Sequence, residues 1–206
     1  GVSVDVGENF IKVQGPIKSN QSLEVDCSKT TQFASALELI SFKAALKVIP
    51  TNLEASGNYF EMTKKVFGQI QASSVYRVPV DYSSFGYFAA YAALTTPVRV
   101  KNAFFKDPLQ GDGQILDFIK SMGGDYKFCD DGVTIYPLKE AKSIEVDGSG
   151  CIDLVTTLMV LMAYSGKEQK IKNIKNLRYK ECDRLQEMQR ILDIFEIKHA
   201  YDSDRD

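Results

Sequence analysis

The chain has 206 residues, of which 44% are hydrophobic and 25% are charged, so it is long and apolar enough for one or two globular domains. Its formal net charge is −2, from 25 basic and 27 acidic residues, which argues against a nucleic-acid-binding protein. Four cysteines without C-x-x-C spacing and one histidine indicate neither a zinc site nor a disulfide scaffold. No apolar run reaches the length of a membrane span. We therefore expect a cytoplasmic protein with reduced thiols and small-molecule partners, and without a metal ion, nucleic acid or membrane.

A short phrase, Val-Asp-x-Ser, occurs three times and divides the chain into repeated units. Its copies begin at Val25, Val80 and Val146, with spacings of 55 and 66 residues. Alternating residues before the copies predict the end of a strand, and apolar residues at helical spacing follow. Each unit also predicts a second helix, at about residues 59–70, 115–122 and 181–195. The sequence therefore predicts an α/β (α+β) protein whose units run strand, helix, strand, helix and further strand.

The first helix of each unit is the more apolar one. In the first unit its apolar residues recur at i, i+3, i+4 and i+7, and they are Phe33, Ala36, Leu37 and Ile40. This spacing places them on one face, which we expect to contact a core. In the second unit the helix runs through Tyr87, Phe88, Tyr91 and Leu94. The third-unit helix, residues 152–163, is apolar on nearly every side, so we expect deep burial. The serines of the phrase are expected helix caps or turn residues: Ser28, Ser83 and Ser149.

The segment between the first and second units predicts a strand that contains a proline. Valines and a tyrosine alternate over residues 75–80, around Pro79. Because the first unit passes directly into the second through this segment, we predict a domain boundary near residue 79. Residues 1–78 are then the last repeat unit of one globular domain, and residues 79–206 are two units of the second.

The densest polar cluster covers residues 173–185 and leads into the last predicted helix. At about 100° per residue, Lys180, Glu181 and Arg184 project on the apolar face of that helix, and Asp183 projects on the opposite, solvated face. Three charges on an inward face are costly to bury in a dry core, so we expect them to line a wet cleft. The cations beside a helix N-terminus favour an anion, and Glu181 is a possible acid or base. A local salt-bridge network in which Glu181 caps the helix fits the spacing equally well.

The other strand-to-helix corners offer further polar groups. Thr30, Thr31 and Gln32 supply two hydroxyls and an amide that suit a phosphate or sugar hydroxyls, although ordinary capping also explains them. Residues 56–59, Ser-Gly-Asn-Tyr, have a similar character. Asp153 is a lone carboxylate within an apolar run, which makes it a candidate general base. The alternative is an acid in the first turn of a helix.

The polar run is similar to a known family signature. Residues 178–185, Arg-Tyr-Lys-Glu-Cys-Asp-Arg-Leu, resemble the signature of the 5-enolpyruvylshikimate-3-phosphate synthases, which has Ser or Thr in place of the cysteine. Residues 30–33 resemble the Ser-Ser-Gln-Phe corner of that family, and residues 81–84 resemble its domain-crossing segment. Gln-Gly-Asp at 110–112 and Met-Gly at 122–123 follow in order. The resemblance covers essentially the whole chain and implies repeated βαβαββ units of an inside-out α/β barrel, incomplete here.

The resemblance also implies a role for each matching residue. The residues implied to bind shikimate 3-phosphate are Thr30, Thr31, Gln32, Ser56, Tyr59, Asp153, Asn176 and Lys180. Gln32 and Arg184 are implied to bind phosphoenolpyruvate, and Tyr59 is implied to close over the shikimate ring. Asp153 is the implied proton acceptor, and Glu181 the partner in proton transfer to the enolpyruvyl methylene. The implied reaction transfers the enolpyruvyl group to the shikimate 5-hydroxyl and releases phosphate, without a metal or organic cofactor.

Several parts of the family pattern have no match in this chain. They are an early Lys-Ser segment with a following Arg, an Asn-Gly-Gly-type loop, and a late His-Arg pair and Lys that help to hold phosphoenolpyruvate. We therefore expect both ends to be cut from a longer enzyme and that complete enzyme to be a monomer. We also expect the 206-residue chain alone to turn over no substrate.

Three other functions compete with this interpretation. An enolpyruvyl transferase acting on a UDP-aminosugar lacks the Lys-Glu-x-Asp-Arg pattern. RNA 3′-phosphate cyclase has related repeat units, but the acidic balance and the absence of a suitably placed histidine argue against it. A non-catalytic binding or structural domain with the same fold stays open.

Overall fold

The computed structural model describes residues 1–53 and 57–203, which form nine strands and six α-helices. The strands are β1 Ser3–Val6, β2 Ile11–Gln14, β3 Ser22–Asp26, β4 Lys47–Thr51, β5 Val98–Lys101, β6 Asp125–Cys129, β7 Gly132–Tyr136, β8 Glu145–Asp147 and β9 Lys170–Lys172. The helices are α1 Gln32–Ala44, α2 Gly57–Ala72, α3 Tyr82–Leu94, α4 Ile115–Ser121, α5 Val155–Tyr164 and α6 Arg184–Ile194. Two short 3-10 helices cover Gly111–Gln114 and Lys175–Tyr179.

The elements fall into three successive groups that follow the Val-Asp-x-Ser repeats. The groups are β3-α1-β4-α2, then α3-β5-α4-β6-β7, then β8-α5-β9-α6. In the first and third groups the two strands pair in parallel, with Ser22 opposite Lys47 and Glu145 opposite Lys170. Parallel neighbours require a crossover connection, which α1 and α5 provide. The predicted α/β class with repeated strand-helix units is therefore confirmed.

The predicted strand over residues 75–80 is absent from the structure. Strands β5, β7 and β6 of this unit form an antiparallel sheet instead, with β7 in the centre. Val75 and Val78 are 78% and 80% exposed. Pro79 has no backbone N–H to donate to a sheet, which disfavours pairing here. Alternation in this segment therefore did not reflect burial, and the boundary near residue 79 stays a prediction.

The main core lies where α3, α4 and α5 pack together and against β7. Its largest fully buried side chains in the helices and strands are Tyr82, Phe85, Ile115, Leu116, Ile119, Ile135, Leu158 and Leu161. Small residues of α3, such as Ala89 and Ala93, are also buried and let neighbouring elements approach closely. A smaller core joins α5 to α6 through Val155 and Leu185. This second core fixes the turn before α5 relative to the start of α6.

Two of the predicted apolar helix faces point outward. In α1, Phe33 is 66% exposed and Ile40 is also exposed, whereas Ala34 is buried. The predicted core-facing stripe is therefore wrong, because α1 packs against α2 and β4 through its other side. The aromatic residues of α3 behave in the same way: Tyr87, Phe88 and Tyr91 are exposed.

The third-unit helix is largely buried. Leu158 and Leu161 of α5 are fully buried, whereas Val160 is exposed. The expected deep burial of residues 152–163 is therefore confirmed on the side that faces the core and wrong at Val160. The helix begins at Val155, because residues 152–154 form a turn.

The aspartates of the repeated phrase, rather than its serines, accept hydrogen bonds at the junctions. Asp26 accepts from the backbone N–H of Ser28, and Asp147 accepts from that of Ser149. Asp81 is the N-cap of α3 and accepts from two backbone N–H groups of its first turn. The prediction that these serines cap the helices is wrong, since a carboxylate is a stronger acceptor for these orphan donors than a hydroxyl. Ser28 and Ser149 instead lie in a bend and a turn, which was the other predicted role.

Candidate active site

Asp153 occupies the turn between β8 and α5 and binds two cations. The Nζ of Lys180 and an Nη1 of Arg184 each lie 2.9 Å from its Oδ1. All three side chains are partly exposed, at 34% for Asp153 and less for the two cations. Ile152 and Leu154, on either side, are fully buried and anchor the turn. Because α5 begins at Val155, the aspartate precedes the helix, and the alternative of a first-turn acid is wrong.

Arg184 connects this aspartate to a second carboxylate. Its Nε and Nη2 donate to Oε2 of Glu181 at 3.2 and 2.7 Å, while Nη1 donates to Asp153. Glu181 is 77% exposed at the side chain. A backbone hydrogen bond at Glu181 itself, followed by the bond from Arg184, holds the pKa of this carboxyl below its ordinary value. Glu181 is thus an ionised, solvent-facing group beside the cations.

The last helix starts later than the projection assumed. Asp183 is the N-cap of α6 and its side chain accepts from the N–H of Gln186 at 3.0 Å. Lys180 and Glu181 therefore lie before the helix, which begins at Arg184, and not in its first turn. Nevertheless Lys180 binds Asp153 and Glu181 binds Arg184, so the three charged residues do belong to one cluster. The predicted inward orientation is wrong for Glu181, which is 77% exposed. The alternative of a local salt-bridge network fits the ion pairs among Asp153, Lys180, Glu181 and Arg184. Its cap is Asp183 rather than Glu181.

Asp183 is not the solvated residue that the projection predicted. Its side chain is partly buried and accepts a hydrogen bond from Arg178 at 2.9 Å. The inward apolar side of α6 is anchored by Leu185 and Met188, which are buried. The N-cap bond, the Arg178 pair and these two contacts together hold the start of α6 and direct Arg184 toward Asp153.

The corner before α1 lies against the polar run of the third unit. The Nζ of Lys29 is 5.2 Å from the centre of the Tyr179 ring, a cation–π contact. Thr30 accepts a hydrogen bond from the backbone N–H of Gln32 at 3.2 Å, and Thr31, which precedes α1, is buried. The two segments that the sequence marked as polar corners, more than 140 residues apart along the chain, are therefore brought together by the fold.

Tyr59 lies near the same region from α2, beside a buried aspartate. Burial, followed by the charges of Asp112 and Asp153, raises the pKa of the Tyr59 phenol well above its ordinary value. Asp112, in the 3-10 helix Gly111–Gln114, is only 1% exposed and accepts a hydrogen bond from Ser83. Burial raises the pKa of the Asp112 carboxyl. Sequence reasoning did not assign Asp112 to the site, although the Gln-Gly-Asp phrase was a signal that could have found it.

The remaining predicted site residues are distributed around this centre. Asn176 is half-buried in the 3-10 helix Lys175–Tyr179, and Gln32 is exposed at the start of α1. Ser56 lies outside the described residues. Within residues 1–53 and 57–203, no cluster of His, Cys, Asp and Glu could hold a metal ion. The four cysteines are free thiols. No described helix is long and apolar enough to span a bilayer.

Comparison with known proteins identifies the family. The family model of EPSP synthase (3-phosphoshikimate 1-carboxyvinyltransferase) matches residues 30–199. With the repeated strand-helix groups, this match defines an incomplete α/β enolpyruvyl transferase fold. The chain belongs to the EPSP synthase family.

Curated relatives agree with the family model. A 3-phosphoshikimate 1-carboxyvinyltransferase from Thermococcus kodakarensis is 33% identical over 204 residues, which cover 91% of this chain and 50% of the relative. The protein of the same name from Pyrococcus abyssi is 33% identical over 191 residues, covering 85% of this chain and 46% of the relative. One from Methanococcus maripaludis is 40% identical over 111 residues, or 53% of this chain and 26% of the relative. The chain thus spans about half the length of the first two relatives.

Proposed function

We propose that this chain supplies part of the active site of a 3-phosphoshikimate 1-carboxyvinyltransferase in aromatic amino-acid biosynthesis. The reaction transfers the enolpyruvyl group of phosphoenolpyruvate to the 5-hydroxyl of shikimate 3-phosphate and releases phosphate. Family membership and the names of the relatives support this activity. The single observation that carries it is the Asp153 carboxylate bound by both Lys180 and Arg184.

The cluster suits the two steps of this reaction. In the first step the 5-hydroxyl oxygen bonds to C2 of phosphoenolpyruvate, the hydroxyl loses its proton, and C3 gains one. In the second step phosphate leaves C2 and a proton leaves C3, which restores the double bond. Asp153, held in a fixed orientation, is the proposed acceptor of the hydroxyl proton, and Glu181 the proposed partner in proton transfer at C3. Lys180 and Arg184 stabilise the negative charge of the intermediate.

The surrounding residues are proposed to hold the substrates. For shikimate 3-phosphate these residues are Thr30, Thr31, Gln32, Ser56, Tyr59, Asp153, Asn176 and Lys180. Gln32 and Arg184 are proposed to bind phosphoenolpyruvate. The approach of the Lys29 corner to Tyr179 supports a shared cleft, because it brings the threonines toward the segment that holds Asn176 and Lys180. The phosphate of the substrate would then meet hydroxyl and ammonium donors from both sides.

The complete enzyme is proposed to be a cytoplasmic monomer that uses only these small-molecule substrates. Four free thiols support a reducing compartment. Its two domains are proposed to meet near residue 79. Because the chain spans about half the length of its relatives, we propose that the 206 residues alone do not catalyse turnover.

Phosphate release tests the activity directly. We expect the complete gene product that carries this sequence to release phosphate from the two substrates, and the isolated 206-residue chain to release none. Asp153→Asn in the complete product should lower kcat by about 10²- to 10⁴-fold, the usual contribution of a general base. The control, Asp130→Asn, changes an exposed turn residue and should leave kcat unchanged.

Binding separates this proposal from its alternatives. Calorimetric titration of the complete product with shikimate 3-phosphate should show binding. Absence of both binding and turnover would support a non-catalytic domain with the same fold. Turnover with a UDP-aminosugar in place of shikimate 3-phosphate would assign the other substrate class. Near-normal turnover by the Asp153→Asn variant would remove Asp153 from the mechanism.

A further inference from the structure

Asp112 is a buried carboxyl that the proposed reaction does not use. Its Oδ2 accepts a hydrogen bond from the hydroxyl of Ser83 in the first turn of α3. Its Oδ1 is buried and has no hydrogen-bond partner of normal geometry within the described residues. A buried polar atom without a partner is unfavourable, so a structural role confined to the Ser83 bond does not explain why an acid stands here.

Asp112 lies where three segments of the candidate site meet. A Cβ added to the neighbouring Gly111 would lie 1.6 Å from the carbonyl oxygen of Gly150 and 3.1 Å from Nδ2 of Asn58. The backbone at Gly111 is therefore packed against the turn that leads to Asp153 and against the start of α2. Only glycine permits this approach, and it brings the next residue, Asp112, beside both segments.

The side chain that faces Asp112 from α2 is Tyr59. Its phenol interacts with the Asp112 carboxyl and the Ser83 hydroxyl, and the charge of Asp153 also acts on it. The charge of Asp153 also raises the pKa of the Asp112 carboxyl. The Tyr59 phenol thus interacts both with a buried carboxyl that can accept its hydroxyl proton in a hydrogen bond and with the carboxylate bound by Lys180 and Arg184.

We propose that Asp112 is a positioning residue: together with Ser83 it holds the phenol of Tyr59 beside Asp153, and so orients the ring that closes over shikimate 3-phosphate. This inference rests on the proposed function for its catalytic consequence, but the placement of Tyr59 can be measured without it. Asp112 touches no reacting atom in this scheme and acts only through Tyr59.

The placement is tested by ¹⁹F NMR of the complete gene product labelled with 3-fluorotyrosine. Tyr59→Phe identifies the Tyr59 resonance by its loss. We expect Asp112→Ala and Ser83→Ala each to shift that resonance. Asp112→Asn should leave it near the wild-type position, because the amide oxygen can accept from Ser83 and the amide N–H can donate to the phenol oxygen. The control Asp130→Asn should not shift it, since Asp130 lies in an exposed turn far along the chain.

Kinetics test the consequence for the reaction. Asp112→Ala should raise the KM for shikimate 3-phosphate about tenfold, the loss expected for one net hydrogen bond, with kcat within about threefold of wild type. Asp112→Asn should restore the KM to within about twofold. Combining Asp112→Ala with Tyr59→Phe should add little to either change alone, because both remove the same interaction.

The outcomes separate the two proposals. An unchanged Tyr59 resonance in both Asp112→Ala and Ser83→Ala overturns the positioning role, whatever the enzyme does. Equal increases of KM in Asp112→Asn and Asp112→Ala also contradict it. If the wild-type protein has no turnover, the proposed function fails, and the fluorine shifts still decide the placement of Tyr59. Should Asp112→Ala not fold, Ser83→Ala and Asp112→Asn carry the test.

Discussion

At the scale of single residues, Arg184 links the two carboxylates proposed for proton transfer. One edge of its guanidinium, formed by Nε and Nη2, donates to Glu181, and Nη1 donates to Asp153. This arrangement uses the planar fork of arginine, which a single ammonium group cannot reproduce. The residue therefore contributes geometry as well as charge.

Arg184→Lys should separate these two contributions. We expect the KM for phosphoenolpyruvate to rise at least about tenfold, although the charge is kept, because lysine cannot bind both carboxylates and a substrate anion together. The matched control is Arg190→Lys, since Arg190 makes an exposed pair with Glu187 on the same helix. Steady-state kinetics of the complete gene product measure both. An unchanged KM in Arg184→Lys would show that charge alone is required.

The raised pKa of the Asp112 carboxyl predicts that the stability of the protein depends on pH. Its pKa is raised in the folded protein by burial, with the charges of Asp153 and Asp81 adding to the rise. The Ser83 hydrogen bond and the Tyr59 phenol act against it. Below about pH 4 the carboxyl is protonated in both the folded and the unfolded chain. Above that pH the unfolded chain ionises first, so the free energy of unfolding falls until the folded carboxyl ionises too.

Asp112→Asn should abolish this decrease. We expect the stability of the variant relative to wild type to improve as pH rises from about 4 toward the folded pKa, by up to about 1.4 kcal/mol per pH unit. Urea unfolding from pH 4 to pH 8 measures the difference. Asp130→Asn, in an exposed turn, should show a difference that does not vary with pH, and the same flat result for Asp112→Asn would contradict the prediction.

At the scale of elements, replacement by alanine should change the free energy of unfolding in opposite directions at two glycines. Gly123 ends α4 with a φ of +102°, and a Cβ there would lie 2.1 Å from the backbone oxygen of Glu140. Gly68 lies exposed inside α2, with no atom near the position of a Cβ. The turn requires glycine at position 123, whereas glycine at position 68 only increases the conformational entropy of the unfolded chain.

Gly123→Ala should lower the free energy of unfolding by roughly 1–3 kcal/mol or more, from the left-handed backbone and the steric overlap. Gly68→Ala should raise it by roughly 0.5–1 kcal/mol. Urea unfolding of both variants beside wild type measures the two changes. Changes of the same sign would show that glycine is not required at the end of α4.

The elements also show how far local patterns reach. The second helices of all three units were predicted from apolar spacing, because that signal acts within one or two turns of chain. The buried faces of α1 and α3 were not, since apolar spacing defines a stripe but not what packs on it. In α3, buried alanines such as Ala89 and exposed aromatics such as Tyr91 reverse the simple expectation.

At the scale of the whole molecule, several large aromatic side chains face solvent. On α1 and α3 these include Phe33, Tyr87, Phe88 and Tyr91. Contiguous exposed apolar surface promotes association and binding of apolar dyes. The described part of the chain contains nothing that covers these two faces.

We therefore expect the isolated 206-residue chain to enhance the fluorescence of an apolar dye and to self-associate as its concentration rises. Replacing Tyr87, Phe88 and Tyr91 together by lysine should reduce both effects. Thr96→Lys, at an exposed polar position, adds a charge without removing apolar surface and serves as the control. Sedimentation velocity and dye titration measure the two properties. A monomeric wild-type chain that binds no dye would contradict this prediction.

The sequence by itself determined the repeat, the α/β class, the family and the group of polar residues from which a site could be drawn. These properties depend on residue types and short spacings, which can be counted along a chain. Only the tertiary structure decided that Asp153 is bound by Lys180 and Arg184, and that Asp112 is buried beside Tyr59. Asp153 and Arg184 are 31 residues apart, and Ser83 and Asp112 are 29 apart. Such contacts arise from the packing of elements that are distant along the chain, and no local pattern encodes their geometry.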